Sequence, residues 1–147
     1  MIQKTIERLQ YLCNTIPVIL TDMNEGEFSF KPSPDKWSKK EILGHLIDSA
    51  TNNHHRFIRV QIEDIPLIRY DQNQWNRAGQ YAQMDSKRLV SFWSVYNRHL
   101  TELLKLIPAE TLSRTCNVGK EEPVTLEWLI NDYVRHLEHH LQQIIEH

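Results

Sequence analysis

Apolar residues recur at spacings of three and four along four stretches of the chain. In the first, Ile2, Ile6, Leu9, Cys13, Ile16 and Leu20 share one side of a helix, because residues three or four apart lie on the same face. Pro17 interrupts this run and is expected to kink it. Residues 24–37, with Gly26, Pro32 and Pro34, read as a linker. Ser38-Lys-Lys-Glu41 then opens a second helix: the serine hydroxyl takes a backbone N–H and the glutamate reaches back. Ile42, Leu46, Ala50, Phe57 and Ile58 form its apolar side, and it should end near Glu63 to Pro66. After a long connection, residues 65–84, Asp85 caps a third helix carrying Leu89, Phe92, Trp93, Tyr96, Leu100, Leu103 and Ile107, which Pro108 terminates. Residues 109–123 are polar and suit a short hairpin around Val118-Gly119-Lys120. Thr125 caps a fourth helix whose apolar face holds Leu126, Leu129, Ile130, Tyr133, Leu137, Leu141 and Ile144. The expected fold class is all-α, a four-helix bundle with a long crossover connection, forming a single domain over residues 1–147.

Composition narrows the function. Hydrophobic residues make up 40% and charged residues 24%, as in globular domains, and the net charge of −2 comes with no dense basic run. Nucleic acid is therefore not the expected partner. The first residues, Met-Ile-Gln-Lys-Thr-Ile-Glu-Arg, lack the apolar core of a signal peptide, and no stretch is long enough to span a membrane, so a soluble cytoplasmic protein is expected. Cys13 lies on an apolar stripe and reads as a small core residue, and Cys116 falls in a loop. The two form no metal-binding pair, and a chain of this size needs no disulfide.

The candidate chemistry is in the histidines. His136 and His140, one turn apart on the fourth helix, can aim both imidazoles at one point. His45 sits at the border of the apolar face of the second helix. Three histidines would leave a divalent cation an open position for chemistry. Taken alone, an H-x3-H pair equally describes partly buried or solvated histidines. His139 points to the polar side, His147 has the right side but stands at a terminus, and His54 and His55 lie more than two turns from His45. His99 reads as solvated. Glu138 turns away from the ligand face, so a protease-style H-E-x-x-H arrangement is not present.

These residues carry a resemblance. The stretch Lys36-Trp-Ser-Lys-Lys-Glu-Ile-Leu-Gly-His-Leu-Ile-Asp-Ser49, then Arg69-Tyr-Asp-Gln-Asn-Gln-Trp75, then Thr125-Leu-Glu-Trp128 and Tyr133-Val-Arg-His-Leu-Glu-His-His-Leu-Gln-Gln-Ile144 are similar to the DinB-like superfamily. Within it they resemble the bacillithiol S-transferase type of metal-dependent enzyme. The resemblance runs from about Phe28 to the C-terminus. It implies a four-helix bundle holding zinc or nickel through His45, His136 and His140, a homodimer, and a low-molecular-weight thiol as cosubstrate. Relatives often carry an aromatic residue where this chain has Arg135, a position facing away from the ligands.

Three functions follow from this pattern. In the first, the metal activates a thiol for transfer to an electrophile. In the second, the same metal activates water for hydrolysis, as zinc can do near neutral pH. The third is a non-enzymatic metal-binding helical module. Asp48, one turn after His45, is placed either to orient that ligand or to sit solvated or paired at the helix edge. Tyr70, Asp71 and Trp75 either line the mouth of the site or serve structure, Asp71 capping a turn and Trp75 plugging the bundle end. Arg56, Arg59 and Arg69 could attract an anionic thiol, although Arg56 and Arg59 fit ordinary exposed helix positions as well.

Overall fold

The computed structural model describes residues 2–145. In chain order its helices are α1 (Gln3–Asp22), the short α2 (Glu25–Ser29), α3 (Lys39–Ile62), the short α4 (Gln72–Gly79), α5 (Ser86–Leu106) and α6 (Leu126–Ile144). The long members, α1, α3, α5 and α6, form a four-helix bundle. Helix starts follow the polar caps in the sequence, which satisfy backbone N–H groups that no preceding carbonyl can reach. Ser38 and Glu41 close the capping box of α3, Asp85 accepts from Arg88 N at 3.0 Å, and Thr125 accepts from Trp128 N at 3.0 Å. Helix α1 continues through Pro17 to Asp22 rather than stopping there.

Both α1 and α3 pack on α5 and on α6. Successive long helices α1 and α3 therefore lie across a diagonal of the bundle, and α3 and α6, distant in sequence, become neighbours. The core between them is mostly aliphatic, with Leu9, Leu12 and Ile16 of α1, Leu43 and Leu46 of α3, Leu100 and Leu104 of α5 and Leu129 and Ile130 of α6 buried around Trp93 and Phe57. A polar bridge crosses it: the Tyr133 hydroxyl donates to Asn97 Oδ1 at 2.5 Å, and Asn97 Nδ2 donates to Trp93 O. Ile58 and Phe92 belong to the apolar stripes by spacing but lie at their rims, 37% and 51% exposed.

The links are more ordered than a loop reading implies. The 24–37 segment contains α2, capped by Asn24. The connection between α3 and α5 contains α4 and a 3₁₀ turn, Tyr81–Gln83, both packed against α3. After a second 3₁₀ turn at Ala109–Thr111, strands β1 (Thr115–Cys116) and β2 (Val124–Thr125) pair antiparallel, Thr115 opposite Thr125. Between them Gly119 takes φ +93, a conformation that side chains resist. Cys116 thus lies in a strand, not a loop, and its buried thiol faces Pro66 O at 3.3 Å. Cys13 and Cys116 are both free. Among the described residues no helix is long and apolar enough to cross a membrane.

Candidate metal centre

His45 occupies a part of α3 that is buried on every side, from Ile42 to Ala50. The burial arises because α2, α4, the Tyr81 turn, α5 and α6 all pack on this one helix. Gly44 makes the closest of these approaches possible. A Cβ there would lie 2.1 Å from the Tyr81 ring, so glycine alone leaves room. Sequence spacing placed His45 at the border of an apolar face. The structure puts it fully inside, because covering elements from distant segments close over the border.

Helix α6 brings His136 and His140 to the same point. His45 Nε2 and His136 Nε2 are 3.3 Å apart. The His45 ring centroid lies 5.1 Å from that of His136 and 4.6 Å from that of His140, and the α6 pair is separated by 4.5 Å. One nitrogen from each ring falls within 4.8 Å of the others. His45 is wholly enclosed while His136 and His140 are half-buried, so the cluster has a closed floor and an open side.

Crowding and burial keep the rings neutral. Burial, then the nearby His136 and His140, pushes His45 down to about 3. Burial, then His140, pushes His136 down to about 4. His140 is lowered chiefly by burial, with its bond to Gln143 acting in the opposite sense. Neutral imidazole is the form that offers a lone pair to a cation.

A divalent cation fits these residues. His45 Nε2, inside the fully buried side chain, faces His136 Nε2 and no carboxylate or carbonyl. Three imidazoles gathered in one place gain little from each other. They gain much from a shared ion that takes one nitrogen from each. Two nitrogens bound about 2.05 Å from a tetrahedral zinc stand roughly 3.3 Å apart, and the His45–His136 spacing is 3.3 Å.

Three neighbours complete the setting, and none of their contacts was assigned from sequence. The Trp37 ring lies over His45, centroids 5.0 Å apart and planes tilted by 32°. Gln143 Oε1 accepts from His140 Nδ1 at 2.9 Å, which leaves the other ring nitrogen unprotonated. Tyr81 donates its hydroxyl to Asp48, whose second oxygen is buried without a partner. Burial raises the Asp48 carboxyl above the ordinary aspartate range. Asp48 is thus neither solvated nor paired with a base. The Gln143 contact had a signal, three residues after His140 on the same face. Tyr81 had none short of the tertiary fold.

Among the described residues the other candidates do not join the trio, although the His139 ring lies 5.2 Å from that of His140. His139 and Arg135 are exposed, the latter paired with Asp132 at 3.0 Å, and Glu138 accepts from Arg8 at 2.7 Å. His54 hydrogen-bonds with the Tyr96 hydroxyl at 2.9 Å, and His55 and His99 are exposed. His147 lies outside the described residues. Asp71 caps α4 by accepting from Asn73 N and Gln74 N, and Trp75, 41% exposed, rests against Tyr70. Arg56 is not an ordinary exposed residue. It is half-buried and donates to Ile68 O at 2.9 and 3.2 Å, clasping the connection onto α3. Arg59 pairs with Glu63 at 2.7 Å, and Arg69 is exposed.

The DinB superfamily pattern matches residues 5–144, nearly the whole chain. The chain belongs to the DinB superfamily. Among DinB relatives, a protein of Halalkalibacterium halodurans is 26% identical over 144 residues, covering 97% of this chain and 84% of the relative. One of Bacillus mycoides is 25% identical over 144 residues, covering 97% and 83%. Both bear the name "Putative metal-dependent hydrolase". The solved structure of YfiT from Bacillus subtilis superposes with a TM-score of 0.85 at 24% identity, covering 96% of this chain and 82% of YfiT. It is described as "a probable metal-dependent hydrolase with an unusual four-helix bundle topology". At that identity the likeness establishes the shared fold.

Proposed function

We propose that this DinB chain is a metal-dependent enzyme acting on small molecules, with His45, His136 and His140 holding one divalent cation, zinc or nickel. The observation that carries the reading is the convergence of three neutral imidazoles from two helices, one of them wholly buried. The names given to the relatives support it. When bound, such a cation lowers the pKa of a coordinated thiol or water and so supplies a nucleophile at neutral pH. The protein's part is positional. His45 anchors the trio from the core, Gln143 fixes the His140 tautomer, and Trp37 keeps water off one face of His45.

Among the described residues no carboxylate or thiol joins the trio. Asp48 is engaged by Tyr81 and Glu138 by Arg8. A site without an adjacent base suits a thiol, which is more acidic than water from the start and would lose its proton to solvent once a cation binds the sulfur. We therefore read the reaction as transfer of a low-molecular-weight thiol to an electrophile, of the bacillithiol S-transferase type. Hydrolysis is the second reading, favoured by the names of the relatives. The same proposal takes the chain as a single domain working as a cytoplasmic homodimer.

Elemental analysis of untagged protein should find about one divalent cation per chain, lost in His136→Ala. Metal-loaded protein should then join 2-mercaptoethanol to a model electrophile such as monobromobimane faster than the metal-free protein does. Ester cleavage without thiol dependence would select the hydrolytic reading. Absence of stoichiometric metal would end both.

A further inference from the structure

Beside the histidine trio lies a cleft of about 460 Å³, bounded by α2, the linker after it, the start of α3 and the last turn of α6. That volume is in the range of small-molecule sites, which are mostly apolar with a few polar groups. Its apolar lining comes from Phe30, Pro32, Trp37 and Ile42. Two of its lining residues are shared with the trio. Trp37 lies over His45, and Gln143 is hydrogen-bonded to His140. A molecule resting in the cleft is therefore separated from the imidazoles by single side chains.

Charge restricts what can bind there. The charged groups lining the cleft are Lys39 and Glu27, and they pair with each other at 2.8 Å. They cancel, so the lining attracts neither an anion nor a cation. Phe30 is 66% exposed although it borders an apolar hollow. An aromatic residue left open at such a place gains by covering a ligand's apolar surface.

We infer that this cleft is the substrate-binding subsite of the metal centre, and that it takes an uncharged aryl or alkyl group. The inference rests on the proposed function for its link to catalysis, but the cleft can be tested without metal.

Metal-free, ¹⁵N-labelled protein is titrated with benzyl alcohol and followed by NMR. Saturable shifts are expected at the Trp37 indole N–H and the Gln143 side-chain amide. Phe30→Ser, at an exposed position that leaves the core intact, should weaken binding about tenfold. Benzoate and benzylamine should bind no more tightly than benzyl alcohol. Shifts mapping elsewhere, an unchanged affinity in Phe30→Ser, or a preference for either charged analogue would overturn the cleft's assignment. In cobalt(II)-loaded protein the ring protons of bound benzyl alcohol should broaden. If cobalt binds and they do not, the link to the metal centre fails. If cobalt does not bind at all, the metal reading fails, while the cleft is judged by the metal-free titration.

Discussion

His45 declines a proton that a free imidazole accepts. Its value near 3, and that of His136 near 4, lie below the ordinary 6.5 because burial and adjacent rings oppose the charged form. In the unfolded chain both rings titrate normally. Between pH 6.5 and about 4 the unfolded state thus binds protons that the folded state refuses, and stability falls as pH falls. Metal-free protein should therefore lose about 1 kcal/mol per pH unit per ring across that window. Urea midpoints at pH 7, 6 and 5 measure the slope, and His45→Gln should roughly halve it, His136 supplying the rest. A second outcome at this scale concerns Gln143. Replacing it with leucine removes the acceptor from His140 without touching the core, and should weaken cation binding about tenfold in chelator competition. The trio was legible in the sequence because a helix prints its faces as spacings, and His136 and His140 share one. Trp37 was visible as part of a motif, yet its partner His45 was not, since nothing local tells a tryptophan before a helix cap which ring it will cover.

Helix α3 shows where periodicity stops being informative. Its stripe of Ile42, Leu46, Ala50 and Phe57 predicts one buried side, but nine successive residues from Ile42 are buried. The residues that make this possible are small, Gly44, Ser49 and Ala50, and the covering ring, Tyr81, comes from the long connection. Gly44→Ala should force Tyr81 out and destabilise the protein by about 1–3 kcal/mol, the usual range for overpacking. Tyr81→Phe keeps the ring but leaves Asp48 buried without its donor, and should cost about 1–3 kcal/mol. Denaturant titrations of the two variants separate shape from hydrogen bonding. Only the Asp71 cap marks α4 in the sequence, because its eight residues carry little apolar surface and span barely two turns, too few for a stripe to stand out. The caps at Ser38, Asp85 and Thr125 were legible for the opposite reason: a cap is local chemistry and needs no tertiary partner.

Across the whole molecule, the diagonal placement of α1 and α3 makes α3 and α6 neighbours, and the candidate site spans that seam. Sequence order alone could not say which helices touch, since amphipathic faces state that a helix is covered but not by what. A cation held by residues of both helices binds the folded chain in preference to the unfolded one. At a free metal concentration of 100 times Kd it should add about 2.7 kcal/mol, raising Tm by about 9 °C for a chain of this length. Differential scanning calorimetry with and without chelator measures the difference, and His45→Ala should abolish it. The donors themselves arise at different stages. His136 and His140 form a two-toothed grip as soon as α6 exists, whereas His45 arrives only when α3 docks. Grip strength then follows the progress of assembly, and a cobalt spectrum recorded during refolding would act as a clock, its first change timing a single helix and its last the closing of the bundle.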